Sequence, residues 1–93
     1  MQEITASFDA VARKAHNAAR DAYTEAVMSQ YRTDREFRAA VHAVASYAVA
    51  TMPNPDGSKK IAAIVGIRNM FDGEIGLVGA KRLMEAMPEA IVA

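Results

Sequence analysis

The chain has 93 residues, in which eleven Lys or Arg balance eleven Asp or Glu, and it contains no cysteine. A chain of this length forms one domain at most, and without cysteine it has no disulfide, thiolate metal site or cysteine nucleophile. Because its formal net charge is zero, it also lacks the basic excess that is usual in dedicated nucleic-acid and membrane-surface binders.

The N-terminal residues do not follow the pattern of a signal peptide, because Gln2, Glu3 and Asp9 flank the first apolar residues. The longest segment without Asp, Glu, Lys or Arg covers residues 39–55, which is shorter than the roughly 20 residues of a membrane-spanning helix. We therefore expect a cytoplasmic protein with no membrane association.

A long first helix is predicted over residues 3–30. Its apolar positions recur at spacings of four and three, which places them on one stripe of a helix: Ile4, Phe8, Val11, Ala15, Ala18, Ala22 and Ala26. The stripe is rich in alanine, which buries little area but lets two helix backbones approach closely. It therefore predicts a tight partner helix, either within the chain or in a second copy.

A second helix is predicted over residues 33–52. Thr33 and Glu36 have the spacing of a capping box, in which each side chain accepts a hydrogen bond from the other residue's amide. Pro53 ends the helix, since proline restricts both its own backbone and that of the preceding residue. Residues 47–51 also alternate between large and small side chains, so that a short strand is the alternative there.

The turn-forming residues 53–58 separate this helical pair from a second pair over residues 58–88. Asp72 and Gly73 are expected to end the third helix in a left-handed C-cap, and the fourth helix is expected to begin near Gly76 and to end before Pro88. The prediction is thus a mainly α, four-helix single domain. The alternative is a small α+β domain with short strands near residues 47–51 and 90–92.

The sequence contains no recognisable catalytic or metal-binding pattern. Its two histidines, His16 and His42, fall on different predicted helices and lack the carboxylate spacing of a zinc motif. No serine occurs in a nucleophile elbow or a Ser-x-x-Lys context. Gly73, Gly76 and Gly79 match neither a Walker loop nor a dinucleotide fingerprint. We therefore expect a protein that is not an enzyme and that uses no cofactor and no metal.

Residues 60–68, with the sequence KIAAIVGIR, and residues 76–88, with the sequence GLVGAKRLMEAMP, resemble two helices of the C-terminal domain of the bacterial ribosomal stalk protein, the L-seven/L-twelve family. The resemblance covers about a third of the chain, roughly residues 58–90, and it is most specific in the Ala-Lys-x-Leu-x-Glu-x-x-Pro segment. In that family the helical hairpin docks translational GTPases. The resemblance therefore implies a translation factor as the partner, with Lys60, Arg68 and Lys81 at the family's basic positions.

The chain also departs from the family pattern. Val65 stands where the family has lysine, Gly79 replaces a position that is usually polar, and the segment between Arg68 and Gly76 is two residues longer. The family domain continues beyond its proline with a strand, a helix and a final strand, whereas only five residues follow Pro88 here. A complete copy of that fold is therefore not expected.

Three functions follow from these observations. The first is a non-enzymatic protein-binding adaptor that docks an acidic surface of a partner, such as a translation factor or another host protein, through the basic hairpin residues Lys60, Arg68, Lys81 and Arg82. A small domain of this kind could be phage- or plasmid-encoded. The second is an assembly protein that self-associates through Phe8, Val11, Ala15, Ala18 and Ala22. The third is a helix-turn-helix-like nucleic-acid binder, because residues 58–82 are locally basic, but few of its residues could contact phosphates.

Overall fold

A computed structural model describes residues 2–53 and 58–92 of the chain, and the side chains from residue 9 onward. All regular structure in these ranges is helical: α1 (Gln2–Thr33), α2 (Arg35–Thr51), α3 (Lys59–Met70), α4 (Gly76–Ala86) and the short α5 (Glu89–Val92). The predicted mainly α fold is confirmed. Residues 47–51 and 90–92, the alternative strands, belong to α2 and α5 instead.

The continuity of α2 explains why residues 47–51 are not a strand. Val41, Ala45 and Ala48 are buried along one face of the helix, at spacings of four and three residues. A helix keeps Ala48 in register with the two buried residues before it, whereas a strand would interrupt that face.

Asp34 separates α1 from α2 and caps the second helix. Its Oδ1 accepts a hydrogen bond from the Phe37 amide at 3.1 Å, whereas the Thr33 hydroxyl donates to the Ser29 carbonyl at 2.9 Å within α1. The predicted capping box at Thr33 is therefore wrong by one residue. Aspartate is at least as good an N-cap as threonine, and placing the cap there allows α1 to continue through Thr33.

The third helix ends in a Schellman motif. The Gly73 amide donates to the Arg68 carbonyl at 2.9 Å, and the Asp72 amide donates to the Asn69 carbonyl at 3.1 Å. Asp72 and Gly73 have φ angles of 53° and 78°, the left-handed conformation that was predicted for these two residues. The turn then reverses the chain and leads into α4.

α2 and α3 approach each other closely at Gly66. A Cβ added to Gly66 would lie 2.5 Å from the Cβ of Ala48, a separation that two non-bonded carbon atoms do not adopt. Ala62 and Ala63 are also buried on α3. Small residues therefore allow α2 and α3 to pack tightly, whereas the predicted tight contact was along the alanine stripe of α1.

The core lies where α2, α3 and α4 meet, and its most deeply buried large side chains are Val41, Ile67, Ile75 and Leu83. Among the side chains of α1 that the structure describes, those that are buried against this core lie in the C-terminal third of the helix: Thr24, Val27, Met28 and Tyr31. α5 packs against α2 and α3.

Of the predicted loop over residues 53–58, residues 54–57 lie outside the described residues. Ser58 caps α3 by accepting a hydrogen bond from the Ile61 amide at 3.4 Å. Within the ranges that the structure describes, none of the helices combines the length and the apolar character needed to span a membrane.

Candidate functional site

A groove of about 660 Å³ lies between α1 and the turn that joins α3 to α4. Arg20, Asp21, Thr24 and Glu25 of α1 line one wall. The other wall comes from Arg68, from residues 75–79 at the start of α4, and from Arg82. It is larger than the neighbouring concave region, of about 290 Å³, beside His16, Tyr23 and Glu74, and we consider it the candidate site.

The crossing of α1 over α4 forms the floor of the groove. At this crossing a Cβ on Gly79 would lie 3.0 Å from the Thr24 Oγ1 and 3.1 Å from its Cγ2. Thr24 is buried, and its hydroxyl donates to the Arg20 carbonyl at 2.9 Å within α1. Gly79 therefore allows the two helices to meet closely enough for α1 to complete the site.

Two guanidinium groups lie against the turn before α4. The position of a Cβ on Gly76 is 3.7 Å from the Arg20 Nη1, and the corresponding position on Gly73 is 3.8 Å from the Arg68 Nε. The Gly76 amide donates to the Gly73 carbonyl at 3.1 Å, so that these two glycines belong to one tight turn. The described side chains place no carboxylate within ion-pair distance of Arg20 or Arg68.

The third arginine of the groove is paired. Arg82 donates through Nη1 to the Glu25 Oε1 at 2.5 Å, which links α4 to α1. This hydrogen bond and the charge of the guanidinium lower the pKa of Glu25 and raise that of Arg82. Glu25 therefore stays ionised in the folded protein and neutralises Arg82, while Arg20 and Arg68 keep their charges available.

The structure thus divides the four predicted basic residues. Arg68 and Arg82 both line the groove, whereas Lys60 and Lys81 do not. Lys60 is exposed in the first turn of α3, and the Lys81 Nζ lies 4.0 Å from the Glu85 Oε1 on the same helix. Of the four residues that were predicted to form one basic face, the two arginines line the groove and the two lysines lie outside it.

Apolar side chains stand beside the guanidinium groups. Leu77 and Val78, in the first turn of α4, are 56% and 77% exposed and line the groove. Large apolar side chains that are this exposed next to a concave basic surface are typical of interaction sites. The combination suits a ligand that carries both negative charge and apolar groups.

The predicted self-association residues lie elsewhere. Val11 is 67% exposed, and Ala15, Ala18 and Ala22 are exposed as well, whereas the side chain of Phe8 lies outside the described residues. At about 100° per residue, this stripe is on the side of α1 opposite Thr24 and Tyr31. Within the part of the chain that the structure describes, no other helix covers it.

Chemically, the groove offers charge, hydrogen-bond donors and apolar contacts. Its one hydroxyl, that of Thr24, is engaged with the Arg20 carbonyl. Within residues 2–53 and 58–92, no group of three or more His, Cys, Asp or Glu side chains has the arrangement of a metal site. What the described residues provide is guanidinium groups and exposed apolar side chains.

Sequence reasoning missed the contribution of α1 to the groove, which consists of Arg20, Thr24 and Glu25. The available signal was the position of the larger apolar residues Val27 and Tyr31, which share a helix face with Arg20 and Thr24. Burying these large side chains releases more free energy than burying alanines, so that they decide which side of α1 faces the core.

Comparisons with protein-family models, curated proteins and solved structures gave no match to this chain. The resemblance to the ribosomal stalk domain therefore rests on the two sequence segments alone.

Proposed function

We propose that this protein is a non-enzymatic binding module that docks an acidic surface of a partner protein in the groove between α1 and the α3–α4 turn. The observation that carries the proposal is that Arg20 and Arg68 lie against one glycine turn and that no carboxylate among the described side chains pairs with either of them. Charges arranged in this way steer an oppositely charged partner and fix its orientation. The stalk resemblance favours a translation factor as that partner.

The proposal predicts that Arg68→Glu abolishes partner capture without unfolding the chain. Arg68 is exposed, so that reversing its charge costs little stability, whereas a carboxylate in the groove repels an acidic partner. Immobilised wild-type and variant proteins are incubated with bacterial lysate at two salt concentrations, and the captured proteins are identified by mass spectrometry. We expect translation factors or ribosomes with the wild type, at least tenfold less with the variant, and less capture at high salt.

Lys81→Glu is the matched control for this experiment, because Lys81 carries the same charge on the same hairpin but lies outside the groove. Capture should be retained by Lys81→Glu and lost by Arg68→Glu. If both variants capture the same proteins as the wild type, the groove is not the docking site and the proposed function is wrong. Circular dichroism verifies that each variant remains helical.

A second candidate function, assembly through α1, is favoured by the exposed stripe Val11, Ala15, Ala18 and Ala22. Its alternating spacing of three and four residues is that of a coiled-coil seam. If two copies pair antiparallel along the stripe, Lys14 of each copy comes close to Asp21 of the other, so that charge favours this pairing. In this alternative the protein is a structural component that self-associates.

This alternative predicts a concentration-dependent dimer that Ala15→Glu or Ala18→Glu dissociates, because a buried carboxylate without a partner is costly. Sedimentation velocity between about 5 and 500 μM measures the association. Ala10→Glu is the control, since Ala10 is an exposed alanine of α1 on a different face, and it should leave the dimer intact. A wild-type chain that stays monomeric throughout this range excludes assembly through α1.

A further inference from the structure

We infer that the partner presents a carboxylate flanked by apolar side chains, and that Arg20 and Arg68 together bind this carboxylate while Leu77 and Val78 contact its apolar neighbours. This inference rests on the proposed function and specifies the ligand class of the same groove. It also assigns a binding role to Arg20, which belongs to α1 and not to the hairpin.

The two guanidinium groups lie beside a turn that requires glycine. Arg20 is only partly exposed, and its Cδ and Nη1 lie 3.5 and 3.7 Å from the position of a Cβ on Gly76. Any residue other than glycine at position 76 would place a side chain against this guanidinium, and the φ angle of 66° would strain it as well. Because residue 76 is glycine, no side chain at the start of α4 occupies the space next to the Arg20 guanidinium.

The charges that line the groove do not balance. Among these residues, the three arginines Arg20, Arg68 and Arg82 exceed the two carboxylates Asp21 and Glu25 by one positive charge. Glu74 lies outside the groove and lines the neighbouring concave region with Arg20. Because Glu25 is ionised beside Arg82, a dianionic phosphate group would meet repulsion from the α1 wall. A single carboxylate matches the excess charge, and a guanidinium group binds it with two parallel hydrogen bonds.

Apolar side chains line the same groove as the two guanidinium groups. Leu77 and Val78 follow Gly76, the residue that lies against Arg20, and both line the groove. A nucleic-acid backbone would offer these side chains no apolar partner, and it would need more phosphate contacts than the groove provides. An acidic peptide segment with leucine-like residues beside its carboxylate satisfies both kinds of contact at once.

The inference is tested by titrating the full-length ¹⁵N-labelled protein with a blocked hexapeptide in which a single glutamate lies between two leucines, up to about 5 mM, while backbone amide shifts are recorded. The same peptide with glutamine in place of glutamate is the uncharged control. We expect saturable shifts at Gly76, Leu77 and Val78 with the glutamate peptide, and at least tenfold weaker binding of the glutamine peptide, as is typical for the loss of a charge-assisted hydrogen bond.

Arg20→Gln and Arg68→Gln should each weaken binding of the glutamate peptide at least tenfold, whereas Lys81→Gln, which removes a charge outside the groove, should change it less than twofold. The inference is overturned if the glutamate peptide causes no shifts in the groove, if the glutamine peptide binds equally well, or if Arg20→Gln binds like the wild type. Inorganic phosphate at matched ionic strength provides a further arm, and equal or tighter Arg20-dependent binding of phosphate would also overturn it.

The two hypotheses fail in different ways. If Arg68→Glu loses lysate capture but the glutamate peptide does not bind in the groove, the binding function is retained and the carboxylate assignment is wrong. If the glutamate peptide binds as expected but Arg68→Glu captures the same proteins as the wild type, the groove binds carboxylates and is not the site that recognises those proteins.

Discussion

Gly66→Ala is expected to lower the free energy of unfolding by about 1–2 kcal/mol, even though alanine favours a helix over glycine by about 1 kcal/mol. The new Cβ would lie 2.5 Å from the Ala48 Cβ and 3.5 Å from the Val44 carbonyl oxygen. The obstruction is the Cβ of Ala48, which cannot rotate away, so that α2 and α3 must move apart. The loss of contact along this interface outweighs the gain in helix propensity.

Urea unfolding of the wild type, Gly66→Ala and the double variant Ala48→Gly/Gly66→Ala measures this effect. In the double variant the glycine is on α2 and the alanine is on α3, so that the clash between two Cβ atoms is removed. A substantial part of the lost free energy of unfolding should therefore return. Ala43 is an exposed residue of α2, the helix that contains Ala48. Ala43→Gly therefore measures what a glycine in α2 costs in stability where it makes no contact with α3. A Gly66→Ala protein that is more stable than the wild type would show that the two helices do not approach this closely.

This helix pair also shows what the sequence could and could not predict. The helices themselves follow from local signals, namely a 3.6-residue apolar period, turn formers and the left-handed C-cap at Asp72 and Gly73. Which faces meet is a different question, because alanine is compatible with a buried and with an exposed helix face. The alanines of α1 predicted a tight helix contact through their own stripe. Instead α2 and α3 meet tightly at Ala48 and Gly66, and α1 approaches Gly79 of α4 through Thr24.

The candidate site was predictable only in part, because it also depends on which helix faces meet. Arg68 and Arg82 were identified from the hairpin sequence, since both lie within the segments that resemble the stalk domain. Arg20 was not, because its place in the groove depends on where α1 crosses α4, near the contact between Thr24 and Gly79. A long-range contact of this kind leaves no local pattern in either segment.

Tyr31 and His42 form a second group whose chemistry depends on a long-range contact. The buried Tyr31 hydroxyl lies 2.6 Å from the His42 Nε2 and 3.5 Å from the Ala86 carbonyl oxygen, so that it connects α1 to α2 and to the end of α4. Burial lowers the pKa of His42 below its usual 6.5, and the nearby positive charge of Arg38 lowers it further. The native fold therefore favours neutral His42.

Tyr31→Phe is expected to reduce the free energy of unfolding by about 1–2 kcal/mol at pH 7, because it leaves the half-buried His42 Nε2 without this hydrogen-bond partner. The ring contact between the two side chains, 5.6 Å between centroids, is retained by phenylalanine. The measured loss thus reports mainly on the hydroxyl. Urea unfolding at pH 7 gives the value, and a loss below about 0.3 kcal/mol would contradict a structural role for the hydroxyl.

The lowered pKa of His42 also predicts how stability changes with pH. At pH values between the pKa of His42 in the folded protein and 6.5, the unfolded chain binds more protons than the native protein. The free energy of unfolding that His42 contributes above pH 6.5 therefore declines as the pH falls through this range. His42→Gln retains a hydrogen-bond acceptor for Tyr31 but cannot take up a proton. Urea unfolding at several pH values between 5.5 and 8 should show a smaller decline for this variant than for the wild type.

His16→Gln is the matched control, because it removes the other histidine from an exposed position on α1. We expect the decline of the wild type to persist in His16→Gln and to shrink in His42→Gln. If all three proteins lose stability in parallel, the decline comes from carboxylates and not from His42. If only His42→Gln shows a smaller decline of the free energy of unfolding with falling pH, protonation of His42 causes the decline. The contact between Tyr31 and neutral His42 then makes the packing of α1, α2 and α4 dependent on pH.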